Sequence, residues 1–102
     1  MLEPGRVVVL YLLNPSEKYF GELLEINAAG VVLRGINLSS FEDWMRAIAH
    51  QEPVTIGPST VFFPLLRVER LFLDEPVGQV ESMTQLFERR VGESILTFLR
   101  GD

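Results

Sequence analysis

Residues 20–35, FGELLEINAAGVVLRG, decide the fold. They read as a strand that bends, a tight turn around Gly30, and a second strand. Over residues 19–27 the apolar side chains do not hold one phase: Phe20, Leu24 and Ile26 share a face while Leu23 points the other way. A phase change of that kind marks a bulge or a strong bend, and a strong bend lets one strand serve two sheets. Gly21, near the start of the strand, permits a sharp coil or a close backbone approach. Ala28-Ala29-Gly30 is the predicted turn, with Gly30 available for positive φ. Residues 31–36 are the returning strand. A strand bent in this way is what a very small β-barrel needs in order to close on itself.

Outward from this hairpin the pattern is mostly β. Residues 6–13 are nearly all Val, Leu and Tyr and read as a strand covered on both faces. Asn14-Pro15-Ser16-Glu17 is a polar turn. After residue 36 the period changes. A capping box, Ser39 with Glu42 or Ser40 with Asp43, precedes Phe41, Trp44, Met45 and Ile48 on one helical face. Residues 40–50 are therefore a predicted helix, stopped ahead of Pro53. Residues 60–63 form a fourth strand, ended by Pro64, which cannot donate to an interior ladder. Leu65-Leu66-Arg67 is short enough for a single 3₁₀ turn, and residues 68–73 form a fifth strand. Asp74-Glu75-Pro76 closes the β region. Beyond it Val80, Met83, Phe87 and Val91 make a helical stripe with Leu86 beside it. Gly92 ends or kinks that helix, and Ser94 is placed to cap a further turn holding Ile95, Phe98 and Leu99. Arg100-Gly101-Asp102 reads as a frayed end.

The layout is β-β-β-α-β-β-α, mainly β with α+β character, in one domain over residues 1–102. Within it, residues 6–76 make the small barrel with its helix inserted at 40–50, and residues 77–100 the C-terminal helical segment. That length suits one domain and is too short for two. Hydrophobic residues at 47% and charged residues at 23% are those of a globular chain. No apolar run approaches the roughly 18 residues needed to span a bilayer. Residues 1–5 are acidic and lack the basic-then-apolar order of a signal peptide. The expectation is a cytoplasmic protein with no membrane partner. The absence of cysteine removes disulfides, thiolate metal sites and cysteine nucleophiles. A net charge of −5 argues against non-specific attraction to nucleic acid, which depends on neutralising phosphates. It leaves room for a locally basic groove, although only Arg89 and Arg90 are adjacent.

Catalytic signals are weak. His50, the single histidine, stands at a helix end where its charge suits the dipole, and no second ligand follows it at metal-site spacing. Glu42 and Asp43 are better explained by the helix start than as an acid–base pair. Ser59 and Ser94 each follow a glycine by two residues but lack the second glycine of a nucleophile elbow. There is no phosphate loop, dinucleotide fingerprint or metal motif. The chain is expected to be non-enzymatic, without cofactor or metal.

Five short strands, a bent second strand and a one-turn link between the last two describe an SH3-like small barrel. The order of signals resembles the Sm-like branch (the LSm and Hfq type). In that family the second and third strands read Gly-x-hydrophobic, then hydrophobic-Asp, a short turn and an apolar third strand. Here Gly21, Leu23, Ile26, Asn27 and Val31-Val32-Leu33 stand at matching spacing. Val61-Phe62-Phe63-Pro64 through Val68-Glu69-Arg70-Leu71 resembles the family's paired last strands. The resemblance covers residues 6–73, with the helix at 40–50 filling the variable loop between strands three and four.

The resemblance implies single-stranded RNA binding, through a base stacked on a side chain of the strand two–three turn and hydrogen-bonded by a polar neighbour. Asn27 can bond a base edge, but Ala28, Ala29 and Gly30 offer nothing to stack on, and a lost stack costs about 1–3 kcal/mol per base. Pro64-Leu65 replaces the Arg-Gly or Lys-His that the family carries after strand four. The implied RNA site is Asn27, Gly30 and Arg67 in weakened form.

The resemblance also implies a homo-oligomer in which strand four of one copy pairs with strand five of the next, removing exposed edges. Val61, Phe62, Phe63, Val68, Leu71 and Phe72 are the interface candidates; the other possibility is that the C-terminal helix covers them within one chain. Trp44 and Met45 are candidates for a partner-binding helix face, or for packing onto their own barrel. Arg34, Arg67 and Arg70 could line a basic surface, with Glu25 and Glu69 placed to neutralise them. The function expected is a non-enzymatic, homo-oligomeric binding module of RNA-binding ancestry with a weakened RNA site. The alternative is a protein-interaction or structural scaffold acting through its helices.

Overall fold

The computed structural model describes residues 1–101. Five strands, β1 (Val7–Leu12), β2 (Glu17–Ile26), β3 (Gly30–Asn37), β4 (Ser59–Pro64) and β5 (Val68–Leu73), form one antiparallel sheet in the order β4-β3-β2-β1-β5. Three helices complete an α+β fold: α1 (Phe41–Ala49), α2 (Met83–Val91) and α3 (Ile95–Arg100). Single 3₁₀ turns occupy Leu38–Ser40 and Leu65–Arg67.

The sheet is not closed, since β4 and β5 are both edges and do not pair with each other. It is nevertheless curled. Only the turn Leu65–Arg67 joins the two edge strands. A link of that length reaches about 14 Å at full extension, whereas four interstrand steps across a flat sheet span about 19 Å. The edges must therefore approach each other at this end. Hydrogen bonds from the Leu65 amide to the Ala29 carbonyl (3.0 Å) and from the Leu13 amide to the Arg67 carbonyl (2.7 Å) hold the turn there.

Strand alternation sorts the apolar residues into two cores. Val8, Leu10 and Leu12 of β1 join Leu23, Val31, Leu33 and Phe63 inside the curl. Val9 joins Phe20 and Ile36 on the outer face, where the three helices cover them with Phe41, Trp44, Met45, Phe87, Ile95 and Leu99. β1 is thus covered on both faces, as its composition predicted.

The bend in β2 has two causes. Its register with β3 passes from Leu23 opposite Leu33 to Glu25 opposite Val32, so Leu24 is the extra residue of a bulge. Beyond it Ile26 pairs with Val31, a residue of the inner core, and does not continue the face of Phe20. Upstream, Gly21 lies directly opposite Gly35. A Cβ on Gly21 would fall 2.5 Å from the Gly35 Cα and closer still to the Arg34 carbonyl oxygen. The two strands cross where neither carries a side chain.

Several local expectations are corrected. Gly30 does not use positive φ. Its role is close approach, since a Cβ there would overlap the Phe63 carbonyl oxygen and sit 2.9 Å from the Phe62 ring. Neither predicted capping box forms at α1: Ser40 makes no side-chain cap bond, and Asn37 Oδ1 instead accepts from the Ser39 amide of the preceding 3₁₀ turn (2.9 Å). A capping box does form at α2 between Ser82 and Gln85, and both Asp74 carboxylate oxygens accept from the Met83 and Thr84 amides (2.9 and 2.7 Å). Val80 lies outside the helical stripe, exposed in a small bridge with Val77. Ser94 stands at the N-cap of α3, as expected, but makes no side-chain cap bond; Glu88 accepts from the Ile95 amide at 3.0 Å instead.

Arg100 is not frayed. Its guanidinium meets the buried Glu22 carboxylate in two bonds of 2.9 and 2.7 Å, and Arg34 donates to the Leu99 carbonyl at 2.7 Å. These polar ties latch α3 over β2 and β3. Of the expected terminal tripeptide, Asp102 lies outside the described residues.

Candidate nucleic-acid and assembly surfaces

The strand two–three turn and the strand four–five turn lie side by side, joined by the Leu65–Ala29 backbone bond. The structure thus brings Asn27 and Gly30 close to the segment containing Arg67, but it commits their side chains elsewhere. Asn27 Oδ1 accepts from the Ala29 and Gly30 amides (2.8 and 3.3 Å) and its Nδ2 donates to Glu25. This is an Asx turn that fixes the hairpin. Gly30 supplies only the space that β4 needs. Arg67 turns to the β1–β2 loop and donates to the Leu13 carbonyl (3.0 Å), the Pro15 carbonyl (2.9 Å) and Glu17 (3.0 Å). What surrounds the paired turns is apolar: Ile26, Phe62, Leu65 and Leu66 are all exposed.

Because Arg67 ties together two loops by three charge-assisted bonds, Arg67→Ala is expected to lower stability by about 1.5–3 kcal/mol. The urea midpoint checks this, and a change within about 0.5 kcal/mol, the range of an ordinary surface substitution, would show that the bonds carry no structural load.

The interface candidates divide by burial. Phe63 is buried in the inner core, and Val68, Leu71 and Val61 pack against it half-buried. Phe62 on β4 is 51% exposed and Phe72 on β5 is 37% exposed, while Leu66 in the connecting turn is 95% exposed. The C-terminal helices lie on the outer face of the sheet rather than along these edges, so they do not complete either ladder.

Trp44 and Met45 are corrected as partner-binding residues: they are 3% and 0% exposed. The Trp44 ring sits 5.1 Å from that of Phe87, and Phe41 bridges toward Phe20 at 5.2 Å. The face of α1 that the sequence marked as amphipathic is spent on its own core.

The expected basic lining is dispersed. Arg34 points to α3, Arg67 to the β1–β2 loop, and Arg70 lies 4.9 Å over the Tyr11 ring. Glu25 pairs with Asn27 rather than Arg34, and Glu69 stands 3.9 Å from Arg70. A cluster not anticipated from sequence emerges around Tyr11. Lys18 of β2 and Arg70 of β5 both stand opposite it in register, with Lys18 Nζ 4.8 Å from the ring centroid and Phe72 packed edge-on at 5.3 Å.

Acid–base machinery is sparse among the described residues. Glu42 pairs with Arg90 (3.0 Å) and Asp43 with Arg46 (2.7 Å), while His50 closes α1 through its backbone amide. A hydrogen bond from Arg89 holds the Glu81 carboxyl below the usual carboxylate range, and the same bond raises Arg89; both residues are on the surface. No set of three potential metal ligands converges among the described residues. A shallow cleft of about 40 Å³ lies between α1 and residues 53–56, lined by Asp43, Trp44 and Ile56, far below the roughly 300 Å³ of ordinary ligand pockets. No helix of the described residues is long and apolar enough to cross a membrane. No protein-family model, curated protein or solved structure matches the chain.

Proposed function

We propose that the chain is a non-catalytic binding module of the Sm-like type that assembles with copies of itself through β4 and β5. One observation carries the reading: both edges of a strongly curled sheet are unpaired, and each presents an exposed phenylalanine, Phe62 on one and Phe72 on the other. Unpaired edges of this kind template further strand pairing unless something covers them. Here the helices are occupied on the outer face. The bulged second strand, the antiparallel five-strand order and the one-turn link between the last strands support the small-barrel assignment.

RNA binding at the Asn27 turn is expected to be weak, because Asn27 and Arg67 spend their polar atoms on the fold and no side chain of the turn can stack a base. A scaffold acting through the apolar face of α1 is disfavoured by the burial of Trp44 and Met45.

Native mass spectrometry is the direct test. The unmodified chain is expected to run as a discrete multiple of 11.6 kDa, and Phe62→Glu to shift it to a folded monomer, by setting a charge on the exposed edge. A monomeric unmodified chain at high micromolar concentration would overturn the assembly.

A further inference from the structure

Glu22 is the only buried carboxylate among the described residues, and it is neutralised from outside the sheet. It stands on the outer face of β2, opposite Arg34 of β3, and both side chains meet α3. The Arg100 guanidinium reaches the two Glu22 oxygens at 2.9 and 2.7 Å, yet the Arg100 side chain is 49% exposed against 6% for Glu22. The buried half of the pair thus belongs to the sheet and the solvent-facing half to α3. Arg34 donates at 2.7 Å to the Leu99 carbonyl, one of the acceptors that a helix C-terminus leaves without an internal partner. Ile95 and Leu99, four apart on one helix face, are buried in the core that holds Phe20 and Ile36. At six residues α3 is below the length at which a helix persists unaided in water. Residues 92–94, which join it to α2, are exposed, with Gly92 at φ 85° and nothing within 4 Å of an added Cβ. The helical form of α3 therefore comes from its seat.

We propose that this seat on β2 and β3 is an exchangeable helix-binding site. Its resident occupant is α3, and its incoming partner is a short helical protein segment with two branched aliphatic residues four apart, the second followed directly by arginine. Charge complementarity selects that partner. A buried carboxylate left without its cation is strongly disfavoured, so a segment that lacks the arginine cannot close the seat. Lysine offers a single point charge in place of the two bonds that the guanidinium makes to Glu22. Arg34 adds a reading of the backbone, because it bonds the carbonyl of a helix end rather than a side chain. Opening does not strand the charge: with α3 lifted away at Gly92, Glu22 and Arg34 face water until a segment takes the seat. The site goes beyond the assembly reading, since it uses neither the edge strands nor the Asn27 turn.

A fluorescent peptide of residues 92–101, GESILTFLRG, is the probe, and anisotropy reads its binding to the whole chain. In the unmodified chain the resident α3 competes, so the apparent affinity is reduced by the fraction of open seats. Arg100→Ala in the chain weakens the resident and is expected to tighten peptide binding at least tenfold, with circular dichroism verifying that the variant is folded. On that folded chain the peptide carrying Arg100→Ala should bind at least tenfold more weakly than the arginine peptide. The preference should vanish when Glu22→Gln is added to the chain, which assigns it to the Glu22–arginine contact. No saturable binding to the folded Arg100→Ala chain, a peptide affinity unchanged by that substitution, equal binding of the two peptides, or an arginine preference that survives Glu22→Gln would each overturn the proposal. Hydrogen exchange on the unmodified chain tests the release without relying on any variant. The amides of α3 should exchange through an opening that leaves β2 and β3 protected. Exchange of α3 only in step with those two strands would also overturn it.

Discussion

Trp44→Ala is expected to destabilise the protein by about 3–5 kcal/mol, the range for truncating a large aromatic in a packed core. The side chain is 3% exposed and stands between the two helical elements that cover the sheet. Its ring meets Phe87 of α2 at 5.1 Å and Phe41 of its own helix at 6.1 Å; Phe41 in turn contacts Phe20 of β2, and Phe87 contacts Phe98 of α3. Removing the indole leaves a cavity at the centre of a continuous aromatic chain joining sheet to both helical segments. With domain stabilities of about 5–15 kcal/mol, such a loss unfolds a large share of molecules under mild denaturant. Circular dichroism during urea unfolding gives the measurement, and Trp44→Phe should recover part of the loss. A Trp44→Ala chain as stable as the original but unable to hold a partner would restore the docking role that burial removes.

The second large effect is at the strand crossing. Gly21→Ala places its methyl group 2.5 Å from the Gly35 Cα and closer to the Arg34 carbonyl oxygen. Both obstacles are backbone atoms on the paired strand, with no rotamer to yield. Overpacking commonly costs about 1–3 kcal/mol, and this site should reach or pass the upper figure. For a domain of this size that lowers the melting temperature by roughly 12–24 °C. Gly57→Ala is the internal contrast: nothing lies within 4 Å of its added Cβ and its φ is not positive. It should be neutral or stabilising by up to about 1 kcal/mol, through the unfolded chain alone. Equal effects at the two glycines would contradict the close crossing of β2 and β3.

Much of the local structure was legible. The phase slip between Leu23 and Ile26 announced the bulge, because a period of two tolerates no extra residue without changing face. The turn Leu65–Arg67 and the Gly92 break, where φ is 85°, came from length and from the freedom of glycine. Caps were misread because several side chains compete for the same orphan amides. Asp74 reaches α2 from the end of β5, nine residues upstream of Met83, and no spacing rule for adjacent caps finds it.

The candidate sites were less legible for a related reason. Asn27 and Arg67 look like free polar groups in a sequence, since polar residues in turns serve backbone and ligand alike. Only their partners show that Asn27 closes its own hairpin and that Arg67 spans loops fifty residues apart. The Tyr11 cluster was invisible because Arg70 is 59 positions from Tyr11 in sequence and becomes its neighbour only when β5 pairs with β1.

Taken alone, the sequence determined the strands, the bend, the inserted helix and the α+β class, all of which rest on periodicity, glycine and proline placement over a few residues. Tertiary structure decided which strands became edges, which face of α1 was buried, and which arginines were hydrogen-bonded to a carboxylate. Those outcomes depend on long-range pairing, where the energy of a contact belongs to two distant segments and is written in neither one.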